Sequence, residues 1–171
     1  MVDLSPFRDV IYPEWEKRFR SGTGVGDFSY KQGGPTSLYG TTDIVICRAT
    51  MALLSLTNGE RDEWSGTINS FQDARTGWYR KRYTHTHPRE HTTAYAIAAL
   101  ALLGRTPRFS QTWANSFLHD DQVRYRWLRR IPWSVIWMGS HVLAGRPALL
   151  TTTDELTSDF RDWFFDWLAS H

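Results

Sequence analysis

The segment HTHPREHTTAYAIAALALLG, His85–Gly104, sets three histidines and a glutamate at the polar end of a run of Ala, Leu and Ile. Imidazole takes and gives protons near neutral pH, so such a cluster is suited to general acid–base work. His87 and His91 also stand four apart, the spacing at which two helical histidines can face one ion, and Asp43 or His141 would complete three ligands. Two features argue against that. Pro88 places His87 before or at the helix start, and HPREH lacks the HExxH order of zinc peptidases. No metal and no cofactor are therefore expected. Polar residues precede two other apolar runs as well: Asp43 ahead of IVICRATMALLSL, and Ser140 with His141 at HVLAGRPALL. The expected roles are His91 and His141 as general acid or base and Asp43 as orienting carboxylate or acid. Tyr95, one turn after His91, would donate to substrate, and Arg89 would bind an anionic group bidentately. His87 and Ser140 belong to the same mouth, with His85 a weaker candidate. Trp78 and Trp137, with Trp133 and Tyr79 nearby, would form a stacking wall. The competing reading makes Asp43 and Ser140 helix N-caps, the histidines partners of loop backbone, and Glu90 a charge matched to its helix dipole.

Elements able to position these groups are all helical. One kind of helix is amphipathic and aromatic: Asp9–Arg20, Asn58–Gln72, a stretch within Pro107–Arg130 broken near Asp120 and Asp121, and Asp154–Ser170. Thr57 with Glu60, and Thr152 with Glu155, have capping-box spacing. The other kind is apolar nearly all round and must be surrounded by protein: Ile44–Leu56, Thr92–Leu103 closed by Gly104, and a weaker His141–Leu150 that Pro147 should kink or shorten. The polar markers Asp43, His91 and His141 fall 48 and 50 residues apart. Near-equal spacing with alternating outer and buried helices predicts stacked helical hairpins of an α/α toroid or short solenoid. In a toroid the buried helices start at one end of a central cavity. That would gather Asp43, His87, His91, Ser140 and His141 into one ring, beside helix N-termini that favour bound anions. Two connections are long: Asp73–Pro88, longer than a bundle loop needs and of the kind that often carries function, and Ser21–Thr42, which with its glycines reads as a flexible rim loop. Ser21–Thr42 lacks the GKS or GKT of a phosphate loop.

Composition narrows the class. The 171 residues suffice for one domain with a real core, and 20 Lys+Arg against 18 Asp+Glu leave a net charge of +2, too balanced for a polyanion-binding surface. Arg124, Arg126, Arg129 and Arg130 read as a solvated helix face, so no nucleic-acid partner is expected. The single cysteine, Cys47, excludes an internal disulfide and a Cys-based zinc site. No apolar run approaches ~18 residues and the N-terminus has no signal-like core, which predicts a soluble, cytoplasmic protein with no membrane partner. Nine Trp are the outlying number, since large aromatics line sugar and isoprenoid pockets as well as cores.

FQDARTGWY, Phe71–Tyr79, resembles the turn after an outer helix in the terpenoid cyclase and protein prenyltransferase superfamily, with Gln72, Gly77 and Trp78 fitting a compressed version. It also looks close to uncharacterised bacterial toroid-like proteins, in which such a turn precedes a His-rich segment and an Ala-rich helix. The resemblance covers about Tyr39–Ala144 and implies an α/α-toroid fold more than any activity. The paired aspartates of squalene-type cyclases are absent, since TTD at Thr41–Asp43 holds one aspartate. Asp43 and Cys47 do not match the zinc set of prenyltransferases. A closed toroid of six such hairpins needs on the order of 300 residues. About three and a half hairpins over residues 1–171 therefore imply the N-terminal portion of a longer domain, or an open half-toroid that self-associates through the aromatic face of Trp163, Phe164, Phe165 and Trp167.

The polar, aromatic-flanked mouth suits a sugar or sugar acid better than a hydrocarbon. The expected function is therefore a hydrolase or lyase acting on a carbohydrate-like substrate by His/Asp acid–base chemistry. The alternatives are isoprenoid chemistry and a non-catalytic glycan- or protein-binding toroid.

Overall fold

Local signals set most of the helix boundaries in the computed structural model, which describes residues 3–80, 87–152 and 156–170. A short π-helical stretch, Phe7–Ile11, winds into α1 (Tyr12–Phe19). α2 (Leu38–Thr50), α3 (Asn58–Asn69), α4 (Arg89–Leu102), α5 (Ala114–His119), α6 (Asp121–Arg130), α7 (Ile136–Thr152) and α8 (Ser158–Ser170) follow. The chain is all-helical among the described residues, where extended pairing is confined to isolated bridges of Arg20 with Phe28 and Gln72 with Tyr79. The Thr57–Glu60 capping box forms, each side chain bonding the other residue's backbone N–H. Asp120 caps α6 by accepting from the Gln122 and Val123 N–H groups, which makes the break at Asp120 and Asp121. Gly104, at φ +65°, closes α4 in the left-handed conformation. The Thr152–Glu155 cap lies outside the described residues. α8 begins at Ser158, where the Thr157 hydroxyl accepts from the Phe160 N–H at 3.2 Å.

Several expectations are corrected. α2 starts at Leu38, six residues before the anticipated Ile44, because Ser37 caps it by accepting from the Gly40 N–H. Asp43 is thus in the second turn and is not a cap. α7 starts at Ile136 and runs through Pro147 instead of being shortened by it. Packing compensates for the missing N–H: Leu149 enters one core cluster and Leu150 the other. Ser140 and His141 are therefore also in a second turn, away from the helix N-terminus. The glycine-rich connection is pinned rather than a loose rim. Phe28 is wholly buried and stacks on Trp64 at 5.3 Å, while Thr41 donates to the Gly26 carbonyl and the Ser37 N–H to that of Phe28. Arg124 leaves the solvated face to lie buried over Trp163, 4.7 Å from the ring centroid, and pairs with Asp121.

The core has two clusters joined at α7. The first gathers α2, α3 and α4 around Trp64, Tyr79 and Leu100; the second gathers α5, α6 and α8 around Phe117, Trp127 and Phe160. α4 packs against both α2 and α7. α2 and α4 run in the same direction, since Tyr39 meets His91 and Thr92, and one turn further Asp43 meets Tyr95. α4 and α7 approach tightly where Gly145 faces Glu90. A Cβ on Gly145 would lie 2.7 Å from the Glu90 Cβ and 3.0 Å from its carbonyl carbon. Only a glycine permits that approach. Three of the four rings of the C-terminal aromatic face find partners within the chain: Trp163, Phe164 and Trp167 pack on the second cluster, while Phe165, with the neighbouring Leu168, is exposed. No helix among the described residues is long and apolar enough to cross a membrane.

Candidate acid–base site

Three helices each contribute a pair of residues four apart, the spacing that stacks two side chains on one helical face. α2 supplies Tyr39 and Asp43, α4 supplies His91 and Tyr95, and α7 supplies Trp137 and His141. His87, just ahead of α4, extends the second pair by one turn. The six expected residues His87, His91, Tyr95, Asp43, Trp137 and His141 come together. The rings of His91 and His141 meet edge to face, 4.4 Å between centroids and 69° between planes. His87 stacks on His91 at 4.8 Å and contacts Trp137 at 5.1 Å, while Trp137 lies 4.4 Å from His141. Tyr39 faces His87 at 5.2 Å and Tyr95 at 5.5 Å, and Tyr95 stacks on His91 at 5.7 Å.

Hydrogen bonds assign the imidazole tautomers. His141 Nδ1 lies 2.6 Å from the Trp137 carbonyl oxygen, which can only accept, so Nδ1 carries the proton and the neutral ring presents Nε2 as a base. At His91, three contacts must share three hydrogens. The Thr92 hydroxyl is 3.0 Å from the Pro88 carbonyl, the Tyr39 hydroxyl 3.2 Å from Thr92, and His91 Nδ1 3.0 Å from Tyr39. All three are satisfied together only when Thr92 donates to Pro88, Tyr39 to Thr92 and His91 Nδ1 to Tyr39. His91 Nε2 is then the acceptor nitrogen, as in His141.

Burial holds the half-buried Asp43 carboxyl above the usual carboxylate range, and the hydrogen bond from Tyr95 pulls it back in part. The Tyr95 phenol is pushed up by its own burial and by the charge on Asp43, so it remains a donor. Burial, opposed by the hydrogen bond with Thr92, raises Tyr39 to about 12. One turn along α2, burial and the carboxylates of Asp43 and Glu16 raise the Cys47 thiol, which disfavours a thiolate nucleophile there.

Behind the histidines is a group that sequence reasoning missed. Glu90, 5% exposed, pairs across the Gly145 contact with Arg146, 7% exposed, at 3.5 Å. The Arg146 guanidinium sits among Phe117 at 4.6 Å, Trp113 at 5.1 Å, and Trp78 and Trp127 at 5.7 Å. Desolvation lowers its pKa to about 10, against the opposing charge of Glu90, so it stays a cation at neutral pH. Glu90, in the first turn of α4 where its charge matches the helix dipole, is thus also the buried anchor of an ion pair.

The remaining expected residues have other partners. Trp78 is 6% exposed, stacks on Trp113 at 4.8 Å, and carries Arg89 over its ring at 4.8 Å. The turn holding it is structural: Gln72 donates to the Gly77 and Phe109 carbonyls and accepts from the Phe109 N–H. The Ser140 hydroxyl donates to the Trp137 carbonyl of its own helix. Trp133 bonds the Leu128 carbonyl and meets Trp167 at 5.8 Å. His85 lies outside the described residues. Tyr39 was missed although its place was readable, four residues before Asp43. Among the described residues no group of three or more His, Cys, Asp or Glu side chains is arranged to hold a metal ion. His87 and His91 lie face to face, 22° from parallel, which keeps their in-plane lone pairs from converging on one point.

Comparison with protein-family models, curated proteins and solved structures finds no match for this chain.

Proposed function

We propose that this chain forms part of an α/α toroid and acts on a polar, carbohydrate-like substrate by acid–base chemistry, with His91 and His141 as the proton-transferring pair. The carrying observation is the 4.4 Å approach of these two rings, fifty residues apart, on different helices. In the neutral state each imidazole has a hydrogen-bonded Nδ1–H and an Nε2 that can act as base. One ring then takes a proton from substrate or water while its neighbour, carrying a proton on Nε2, gives one to the departing oxygen. Asp43, held by Tyr95, supplies a carboxyl at the same mouth. The half-exposed Trp137 supplies a ring face for sugar C–H groups. The toroid reading is supported by the shared direction of α2 and α4, and by the 52-residue offset from Tyr39 to His91 followed by fifty to His141.

The test is turnover of a panel of neutral and uronic-acid oligosaccharides, read as new reducing ends for hydrolysis or ultraviolet-absorbing unsaturated ends for elimination. His91→Ala and His141→Ala are each expected to lower kcat by about 10²–10⁴. Saturable binding without turnover would leave a lectin-like protein and overturn the catalytic reading. Turnover that survives both substitutions would do the same.

A further inference from the structure

Away from the histidines, α1 and the far end of α2 border an open cleft of about 520 Å³. Its walls include Tyr12, Glu16, Lys17, Arg20, Arg48 and Leu53. The volume lies in the range of small-molecule sites, roughly 300–1,000 Å³. The lining carries three cations and one anion. Arg48 spends that anion: its Nε donates to Glu16 Oε2 at 2.9 Å and its Nη2 to Oε1. Lys17 and Arg20 therefore leave the cleft with a surplus of two positive charges. Lys17 has a competing partner in Glu14 at 2.6 Å, but both are largely exposed, and such a pair exchanges readily for a better one.

The arginines are held in position before any ligand arrives. Arg48 is clamped by the two-pronged Glu16 contact and lies 5.6 Å from the Trp64 ring centroid. Arg20 donates through Nη1 to the Gly24 carbonyl at 3.1 Å, and its guanidinium lies over Phe28 at 4.6 Å. A guanidinium has five donors, so both keep N–H groups beyond these contacts. Tyr12, 4% exposed, has a hydroxyl beside Glu16 with no hydrogen bond of good geometry. Fixed guanidinium edges, an exposed ammonium and an apolar side wall of Tyr12 and Leu53 match a phosphate attached to a small apolar body. A phosphate monoester near −2 balances the surplus, whereas a monocarboxylate would leave one charge uncompensated.

We infer that this cleft binds a small molecule carrying a phosphate monoester, its phosphate held by Lys17 and Arg20 with Arg48 behind them. Titration calorimetry at low salt with phenyl phosphate, inorganic phosphate and benzoate tests this. Phenyl phosphate should bind saturably and more tightly than either other probe. The double variant Lys17→Gln/Arg20→Gln, at exposed positions, should weaken it at least tenfold. Leu53→Trp, which fills the cleft without touching a charge, should abolish the binding heat, and His91→Ala should leave it unchanged. Absence of saturable binding, equal affinity in the double variant, or benzoate binding as tightly as phenyl phosphate would each overturn the assignment.

Discussion

His91 and His141 meet edge to face at 4.4 Å because Gly145, one turn along α7 from His141, presses against the backbone of Glu90, the residue before His91. The two contacts are adjacent on both helices, so the spacing between the helices sets the spacing of the imidazoles.

Gly145→Ala tests this link without touching a histidine. Its Cβ would fall 2.7 Å from that of Glu90, so α4 and α7 must separate. The expected cost is about 1–3 kcal/mol in urea unfolding, typical of an overpacked contact. Cross-relaxation between the His91 and His141 rings should be lost in the fraction that stays folded.

The tautomers are open to nitrogen-15 NMR. In the neutral state both rings should carry the proton on Nδ1, His141 toward Trp137 and His91 toward Tyr39. Tyr39→Phe removes the acceptor at His91 and should shift that ring toward the Nε2–H form, leaving His141 unchanged. A predominantly Nε2–H His91 in the unaltered protein would contradict the assigned relay.

Arg146→Ala should destabilise the fold by about 2–5 kcal/mol, since it leaves the buried Glu90 carboxylate only the more exposed Arg89, 3.4 Å away, and empties the space among four aromatic rings. The double change Glu90→Gln/Arg146→Met, which removes both charges and keeps most of the volume, should recover much of that loss. Chemical denaturation of the single and double variants measures the difference.

Asp43 has a folded-state pKa raised above its ordinary value, chiefly by burial. The folded state therefore holds this proton more tightly than the unfolded chain, and stability falls as pH climbs from the usual carboxylate range through the raised value. Asp43→Asn removes the penalty while keeping an acceptor for Tyr95. Its partial exposure keeps the gain below about 1 kcal/mol, or about 2–4 °C in Tm. The Tm difference from the unaltered protein should be present at pH 7 and shrink by pH 4.

Gly77→Ala should be severely destabilising. Gly77 has φ +75°, and a Cβ there would sit 2.3 Å from the Ser110 carbonyl oxygen. The backbone strain and the clash together are expected to exceed about 2 kcal/mol, read by thermal melting.

Signals that act over a few residues were legible in the sequence: the Thr57–Glu60 box, Gly104 after α4, the break at Asp120, and the helical character of every element. Helix starts that rest on a less emphatic cap were not. Gly40, Thr41 and Thr42 have weak helix propensity and read as loop, yet Ser37 opens α2 three residues before them, and Thr41 bonds the Gly26 carbonyl from within it. Pro147 reads as a breaker, yet α7 continues through it because Leu149 and Leu150 anchor both core clusters.

What the sequence by itself determined is the inventory and its local phase. Side chains four apart share a helical face, which already joins His91 to Tyr95, whereas His87, ahead of Pro88, and Trp137, ahead of the helix start expected at His141, are joined to these groups only in the folded chain. The near-fifty-residue recurrence put Asp43, His91 and His141 in one candidate group. Only the tertiary structure decided how the faces combine. It placed Tyr39 against His91, turned Trp78 inward beneath Arg89 and Arg146, and closed α4 on α7 at Gly145. The reason is physical: helical periodicity fixes directions around each axis, whereas the distance and register between helices come from packing among residues far apart in the chain, and one missing Cβ lets two of them press together.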